Sequence, residues 1–328
     1  MRTSRFISWG HSFVYRRFPW LFKLGYRYFE KHPSHSRSNS TWSRFMARGS
    51  QRLSRYICEN GFDCVICPHV FTSLMLTETL KIHPTALKTA FVSTDYTCSP
   101  GTKDTNLSYY FIPDTEFASD FECANIPESK MVPSGIPVRQ MFYASCDKED
   151  AKKQATVPPA NKHLMVMCGS MGCGPLKNLL HKLSQKAPAD WDISVICGNN
   201  TALKNRLAKQ YADTPRIHVL GYITDIGTTM DSADLYLTKP GGISVSEAAV
   251  KHLPMVFVET VAGCEEYNRI HFVRNGGARM GANINELTEV CLSLMKNDEK
   301  RETMRAKLSR INKRNSAQII YDTLHRQP

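Results

Sequence analysis

Leu164-Met-Val-Met-Cys168 runs straight into Gly169-Ser-Met-Gly172-Cys-Gly174, and Leu176–Lys186 follows with leucines at 176, 179, 180 and 183. A short run that is wholly apolar suits a strand buried on both faces, and leucines three and four apart form one stripe on a helix. Strand, glycine loop and helix together are the building unit of a parallel sheet covered by helices on both sides. The unit recurs downstream. Strands are expected at Ile193–Cys197, Ile217–Leu220, Leu235–Leu237 and Met255–Val258, with helices near Ala202–Tyr211, Ser244–Lys251 and Glu266–Asn275. Two final helices, around Glu286–Lys296 and Glu302–Leu324, are placed on the outside of this second domain.

Working back towards the N-terminus, the same alternation is present in shorter form. Cys64-Val-Ile-Cys67 reads as a strand ending at Pro68-His69, then a helix near Thr72–Lys81, then strands at Thr89–Ser93, Tyr109–Ile112 and Lys130–Val132. Gly135-Ile-Pro-Val138 closes this part, and Lys148–Asn161, rich in Lys, Asp, Ala and Pro, reads as the connection between domains. The expectation is an α/β chain with two doubly wound domains facing across a cleft, residues 1–145 and 146–328. Nothing in residues 1–60 reads as an opening strand and glycine loop, so the first domain is expected to be incomplete at its start.

The formal charge of +12 is unevenly spread over the 328 residues. Residues 1–55 carry twelve Lys and Arg against one acid, Glu30, leaving the remainder of the chain near neutrality, and the same segment holds twelve aromatic rings. Rings interleaved with cations suit a bilayer interface, where the ring sits at headgroup depth and each cation gains about 1 kcal/mol from anionic lipid. Arg5, Trp9, Arg16, Arg17 and Trp20 are the expected contacts with an anionic membrane surface. Single-stranded nucleic acid shares that compositional signature, but no nucleic acid partner is expected. No run of about 18 apolar residues crosses a bilayer and no secretory signal opens the chain, so a cytoplasmic, peripheral location is the reading. Eleven scattered cysteines fit reduced thiols, and Cys64 and Cys67 have no second pair at metal-ligand spacing.

Three constellations carry chemistry. The Gly169–Gly174 loop, with Ser170 and Gly172, lets backbone N–H groups approach a phosphate, but its G-x-x-G-x-G spacing differs from the dinucleotide fingerprint and disfavours an oxidoreductase. In Lys239-Pro-Gly-Gly-Ile-Ser-Val-Ser-Glu247, two glycines strip the turn of side chains before a helix. There Ser244 and Glu247 read equally as a capping box or as a serine on an anion with a carboxylate that accepts ribose hydroxyls. In Gly263-Cys-Glu265-Glu-Tyr-Asn268, Glu265 and Asn268 lie one turn apart and offer hydrogen bonds to sugar hydroxyls, or simply favour a helix start.

In this order and at these spacings the motifs resemble family 28 glycosyltransferases, in the branch of monogalactosyldiacylglycerol synthases and processive diacylglycerol glucosyltransferases. Gly135–Val138 with Phe142, the Gly169–Gly174 loop, Gly221-Tyr222, Asp234-Leu235 before Lys239–Gly242, Glu247, and Gly263-x-Glu265-x-x-Asn268 carry the resemblance. It implies a GT-B fold and inverting transfer of a hexose from UDP-glucose or UDP-galactose to diacylglycerol, with no metal or other cofactor. Gly221 and Tyr222 would then border uracil; Gly241, Gly242, Ile243 and Ser244 would hold the diphosphate; Glu247 would bind the ribose; Glu265 and Asn268 would bind the hexose. Cys264 stands where the family usually has Gln. The family's Gly-rich N-terminal loop, which supplies the base, is not found here, and Asp95 or His69 is the expected substitute. The alternatives are a non-catalytic nucleotide-binding or partner-binding remnant, and a transferase acting on a lipid-linked cell-wall precursor.

Overall fold

Four strands, β1 (Cys64–Cys67), β2 (Lys88–Val92), β3 (Tyr109–Ile112) and β4 (Met131–Pro133), form one parallel sheet in chain order. Six more form a second parallel sheet: β5 (Lys162–Met167), β6 (Trp191–Ile196), β7 (Ile217–Leu220), β8 (Leu235–Thr238), β9 (Met255–Phe257) and β10 (Ala278–Met280). The order of that sheet is β10-β9-β8-β5-β6-β7. These elements come from a computed structural model, which describes residues 41–84, 86–168, 176–258, 263–311 and 315–325.

The chain divides into two units. The first comprises Met1–Pro137, Val261–Tyr267 and Arg314–Pro328; the second comprises Val138–Thr260 and Asn268–Lys313. In the first unit, α1 (Thr41–Glu59) precedes β1 and α2 (Val70–Ile82) joins β1 to β2. A Cβ on Gly49 would lie 3.3 Å from the Met75 methyl, so a residue without a side chain lets α1 approach α2 closely. A short α3 (Ala118–Cys123) joins β3 to β4.

The end of the chain departs from expectation. Instead of one helix from Glu302 to Leu324 there are two, α11 (Asp298–Leu308) and α12 (Ser316–His325). The last packs in the first unit, where Ile320 and Leu324 join Ala90, Val92 and Phe111 in one core cluster. Lys88 Nζ fixes the contact by donating to the Leu324 carbonyl at 2.8 Å. An amphipathic helix goes where its apolar stripe is covered, and sequence adjacency to the second domain does not decide that.

Lys148–Asn161, expected as a connection, begins with a folded helix of the second unit, α4 (Lys148–Gln154). Asp147 caps it by accepting from the Glu149 and Asp150 N–H groups, with acids in its first turn and lysines in its last. Lys148 pairs with the buried carboxylate of Asp234, and Lys152 donates to the Pro159 and Asn161 carbonyls. The chain first passes from the first unit to the second at Pro137/Val138.

The remaining helices of the second unit are α5 (Leu176–Lys186), α6 (Thr201–Gln210), α7 (Ile226–Ser232), α8 (Gly242–Val250), α9 (Cys264–Arg274), which begins in the first unit, and α10 (Ile284–Lys296). Leu164, Val166, Ile193, Val195, Leu235, Leu237 and Val256 pack with leucines of α5 and α10 into a single core. At the amino end of β5 the fully buried His163 ring bridges Ser232 at 2.9 Å and Ser194 at 2.8 Å. Burial lowers its pKa to about 4 and keeps it neutral, with one nitrogen donating and the other accepting.

Candidate functional site

β5 pairs with β6 on one side and β8 on the other, so the winding of the second sheet reverses between β5 and β8. In open parallel sheets, ligands bind outside the carboxyl ends of strands at such a reversal, because the flanking loops leave in opposite directions and open a crevice. Met167 and Thr238 are in register at those ends, and the Thr238 hydroxyl donates to the Met167 carbonyl at 2.8 Å. The segments that leave β5 and β8 therefore start side by side. Gly169, Ser170 and Gly172, on the segment after β5, lie outside the described residues, as do Arg5, Trp9, Arg16, Arg17 and Trp20.

After β8 the chain turns through Lys239–Gly241, with the Gly241 N–H donating to the Lys239 carbonyl at 2.8 Å. Gly241 is the N-cap of α8, and no side chain caps that helix. Ser244 is thus the third helical residue and not a cap, which removes the capping-box reading of Ser244 and Glu247. A glycine N-cap is well tolerated, and it starts the helix three residues early, leaving first-turn N–H groups open to an anion. Ile243 is exposed, Gly241 and Ser244 are half-buried, and Gly242 is buried.

Glu247 lies one turn further along α8 and is 8% exposed. Burial pushes its carboxyl up to about 7, opposed by the positive charge of Arg139. Arg139, whose guanidinium lies 5.3 Å from the centre of the Phe142 ring, was not among the expected site residues. The signal available for it was one cation directly after the Gly135–Val138 motif.

Asn268 is fully buried and its amide donates to the Pro240 carbonyl at 3.0 Å, so it holds the turn that presents Gly241 and Gly242. Glu265 shares α9 with it, three residues earlier and half-buried, and falls in the first unit. Gly263, just before that helix, has φ +101°, a left-handed backbone in which a side chain is strained. Gly221 and Tyr222 come directly after β7, with Tyr222 65% exposed. A Cβ at Gly221 would meet Lys204 Cδ at 3.6 Å and Nζ at 3.7 Å, which places a lysine beside that position.

In the first unit, His69 and Asp95 lie just past the carboxyl ends of the adjacent strands β1 and β2. His69 caps α2, its Nδ1 accepting from the Phe71 N–H at 3.2 Å. With Nδ1 so engaged, the neutral ring carries its proton on Nε2 and has no free lone pair for a second proton. Asp95 is half-buried; its Oδ2 accepts from the Thr94 hydroxyl at 3.4 Å and its carbonyl from the Ser93 hydroxyl at 2.8 Å. Among the described residues no three His, Cys, Asp or Glu side chains converge as a metal site would require, and no helix is long and apolar enough to cross a membrane.

Residues 3–138 match the family profile described as monogalactosyldiacylglycerol (MGDG) synthase, and residues 163–321 match the glycosyltransferase family 28 C-terminal domain. The chain is 28% identical over 235 residues to a processive diacylglycerol β-glucosyltransferase of Staphylococcus epidermidis, covering 71% of this chain and 59% of that protein. It is 26% identical over 284 residues to the Bacillus subtilis protein of the same description, covering 85% and 73%. The chain thus spans about three fifths of the length of the staphylococcal relative. Among solved structures, Acinetobacter baumannii MurG superimposes with a TM-score of 0.66 at 18% identity, over 86% of this chain and 78% of that one. Staphylococcus aureus MnaA, solved with UDP, gives a TM-score of 0.61 at 14% identity, over 87% and 81%. At these identities the likeness is one of fold, the GT-B arrangement.

Proposed function

Since the chain belongs to the family 28 glycosyltransferases, we propose that it moves a hexose from a UDP-sugar to diacylglycerol with inversion, as a step in glycolipid synthesis at a membrane surface. The observation that carries the donor half of this reading is the Lys239–Glu247 segment: a glycine turn at the winding reversal, an uncapped helix start, and a buried carboxylate with a cation nearby. A diphosphate seated on the first turn of α8 meets open N–H groups and the positive end of the helix. Glu247, ionised, accepts from the two hydroxyls of a ribose, whose O–H groups replace the water that burial removed.

The transfer is a single displacement. The acceptor hydroxyl loses its proton to a base as its oxygen bonds to the anomeric carbon, and the bond from that carbon to UDP breaks with its electron pair leaving on the diphosphate. The growing negative charge is stabilised by preorganised backbone donors, so a metal is not needed in this scheme. Of the two expected bases, Asp95 is preferred, because His69 must give up its helix cap before it can accept a proton. The acceptor choice rests on the diacylglycerol glucosyltransferases to which the chain is similar, and the basic, aromatic first 55 residues suit a protein that reaches its acceptor from an anionic surface.

The test is incubation with anionic vesicles containing diacylglycerol, with UDP-glucose and UDP-galactose offered separately, following UDP release and glycolipid formation together. Glycolipid from either donor is the expected result and identifies the hexose. Binding of UDP without turnover of either donor would replace this reading with that of a non-catalytic nucleotide-binding chain. Transfer only to a lipid-linked cell-wall precursor would replace the acceptor.

A further inference from the structure

Lys251 is the C-cap of α8, at the far end of that helix from its Gly241 N-cap, and its side chain is 4% exposed. Its ammonium donates to the Asp231 carboxylate at 2.6 Å and to the Ala144 carbonyl. The same Asp231 oxygen accepts from the Cys146 N–H at 3.1 Å. Asp231 lies in the last turn of α7, and one turn earlier Gly227 leaves room for the Met141 carbonyl, which a Cβ there would approach to 3.1 Å. Residues 141, 144 and 146 are thus held against α7 and the end of α8, all within the second unit, on the stretch by which the chain first enters it. Arg139 heads that stretch, its guanidinium 5.3 Å from the centre of the buried Phe142 ring.

Taking an ammonium and a carboxylate out of water adds little stability by itself, because apolar side chains of similar size often serve as well. What this pair supplies is geometry: it ties the Ala144 carbonyl and the Cys146 N–H to the helix whose other end is the anion seat. A helix held by its own ladder of hydrogen bonds is stiff, so its two ends move together. We propose that Lys251 is a positioning residue for the nucleotide site: through the Lys251–Asp231 clasp, UDP seated on the first turn of α8 tightens the hold on residues 139–147, and that hold in turn steadies α8 for UDP. Linkage makes the effect reciprocal, so the factor by which UDP closes the stretch is the factor by which the closed stretch improves UDP binding. Arg139, the cation whose charge opposes the burial of Glu247, is carried on the same stretch. This inference rests on the reading of α8 as the diphosphate site.

The experiment is amide hydrogen exchange of the full chain with and without saturating UDP, together with UDP titration and thermal unfolding, for wild type, Lys251→Met and Lys251→Arg. In wild type, UDP is expected to slow exchange in residues 242–250 and, by about three- to tenfold, at the Cys146 amide, which reports the clasp directly. Lys251→Met is expected to weaken UDP binding by the same factor and to confine the effect of UDP to α8, whereas Lys251→Arg, which keeps donors for both oxygens, preserves both responses. Slowing in residues 242–250 with none at Cys146 in wild type overturns the inference, and that measurement needs no variant to fold. An effect of UDP on Cys146 that survives in Lys251→Met overturns it too, as does a lowered melting temperature there with UDP affinity intact, the mark of a purely structural pair. A wild-type chain that binds no UDP and shows no slowing in residues 242–250 defeats the diphosphate reading, and the inference falls with it.

Discussion

The two sheets use the same strand–helix grammar and differ in where their first described strand lies. In the second, β5 comes first and lies in the middle, with β6 and β7 added on one side and β8, β9 and β10 on the other. In the first, β1 lies at an edge, and every later described strand is added in one direction. A reversal of winding makes a crevice at the strand ends, so the second sheet carries a ligand position within its own topology. The described strands of the first sheet offer His69 and Asp95 at their ends without such a reversal among them, and the helix that covers one face comes from the far end of the chain. A sheet wound in both directions thus opens a ligand crevice between its own loops, whereas strands added in one direction present side chains at their ends singly.

Removing α12's contact separates the two regions most sharply. Ile320→Ala with Leu324→Ala is expected to cost about 2–5 kcal/mol per site by opening cavities against β2 and β3. Hydrogen exchange should then rise in residues 88–112 while residues 162–167 and 235–238 keep their protection. Equal loss in both sheets would mean that they unfold as one.

Glu247 tests the second sheet. Its folded pKa, about 7, stands above the ordinary 4.5, so the native state retains a proton that the unfolded chain has lost between those values. Stability therefore falls as pH rises from 4.5 through 7, by about 3 kcal/mol at roughly 1.36 kcal/mol per pKa unit. Glu247→Gln should be more stable than wild type above about pH 7 and equal to it below about pH 4.5 in denaturant melts.

His163 has the opposite sign and a comparable size. Its pKa is lowered from 6.5 to about 4, so the unfolded chain takes up a proton first and stability falls as pH drops through that window. His163→Gln should flatten this acid limb; an unchanged limb would mean that other groups govern acid unfolding. Asn268→Ala has the smallest expected effect, about 1–2 kcal/mol from losing the bond to the Pro240 carbonyl. That loss should be accompanied by weaker UDP binding if the turn it holds is the diphosphate seat.

Much of the second sheet could be read in advance because its strands are unbroken apolar runs bounded by glycine or by polar helix starts. Leu176–Lys186 and Ile217–Leu220 match to the residue, as do Cys64–Cys67 and Tyr109–Ile112 in the first sheet. The short helices Lys148–Gln154 and Ile226–Ser232 escaped because each shows too few turns for a period to register, although Asp147 and Asp225 cap them. Placement of α12 depended on a tertiary contact that no local pattern encodes. In the site, the glycines and Glu247 were legible from spacing. Ser244 was open between cap and ligand, and the early glycine N-cap excluded the cap. Arg139 escaped because an arginine after a turn looks ordinary until its neighbours are known.

In the proposed function, α8 and Glu247 hold a uridine nucleotide. Calorimetric titration of UDP into wild-type protein and Glu247→Gln near neutral pH tests it most directly. Saturable binding that weakens about tenfold or more in Glu247→Gln is the predicted result, since a ribose then loses its charged acceptor. Absence of UDP binding in the wild type, or equal affinity in both proteins, would contradict it.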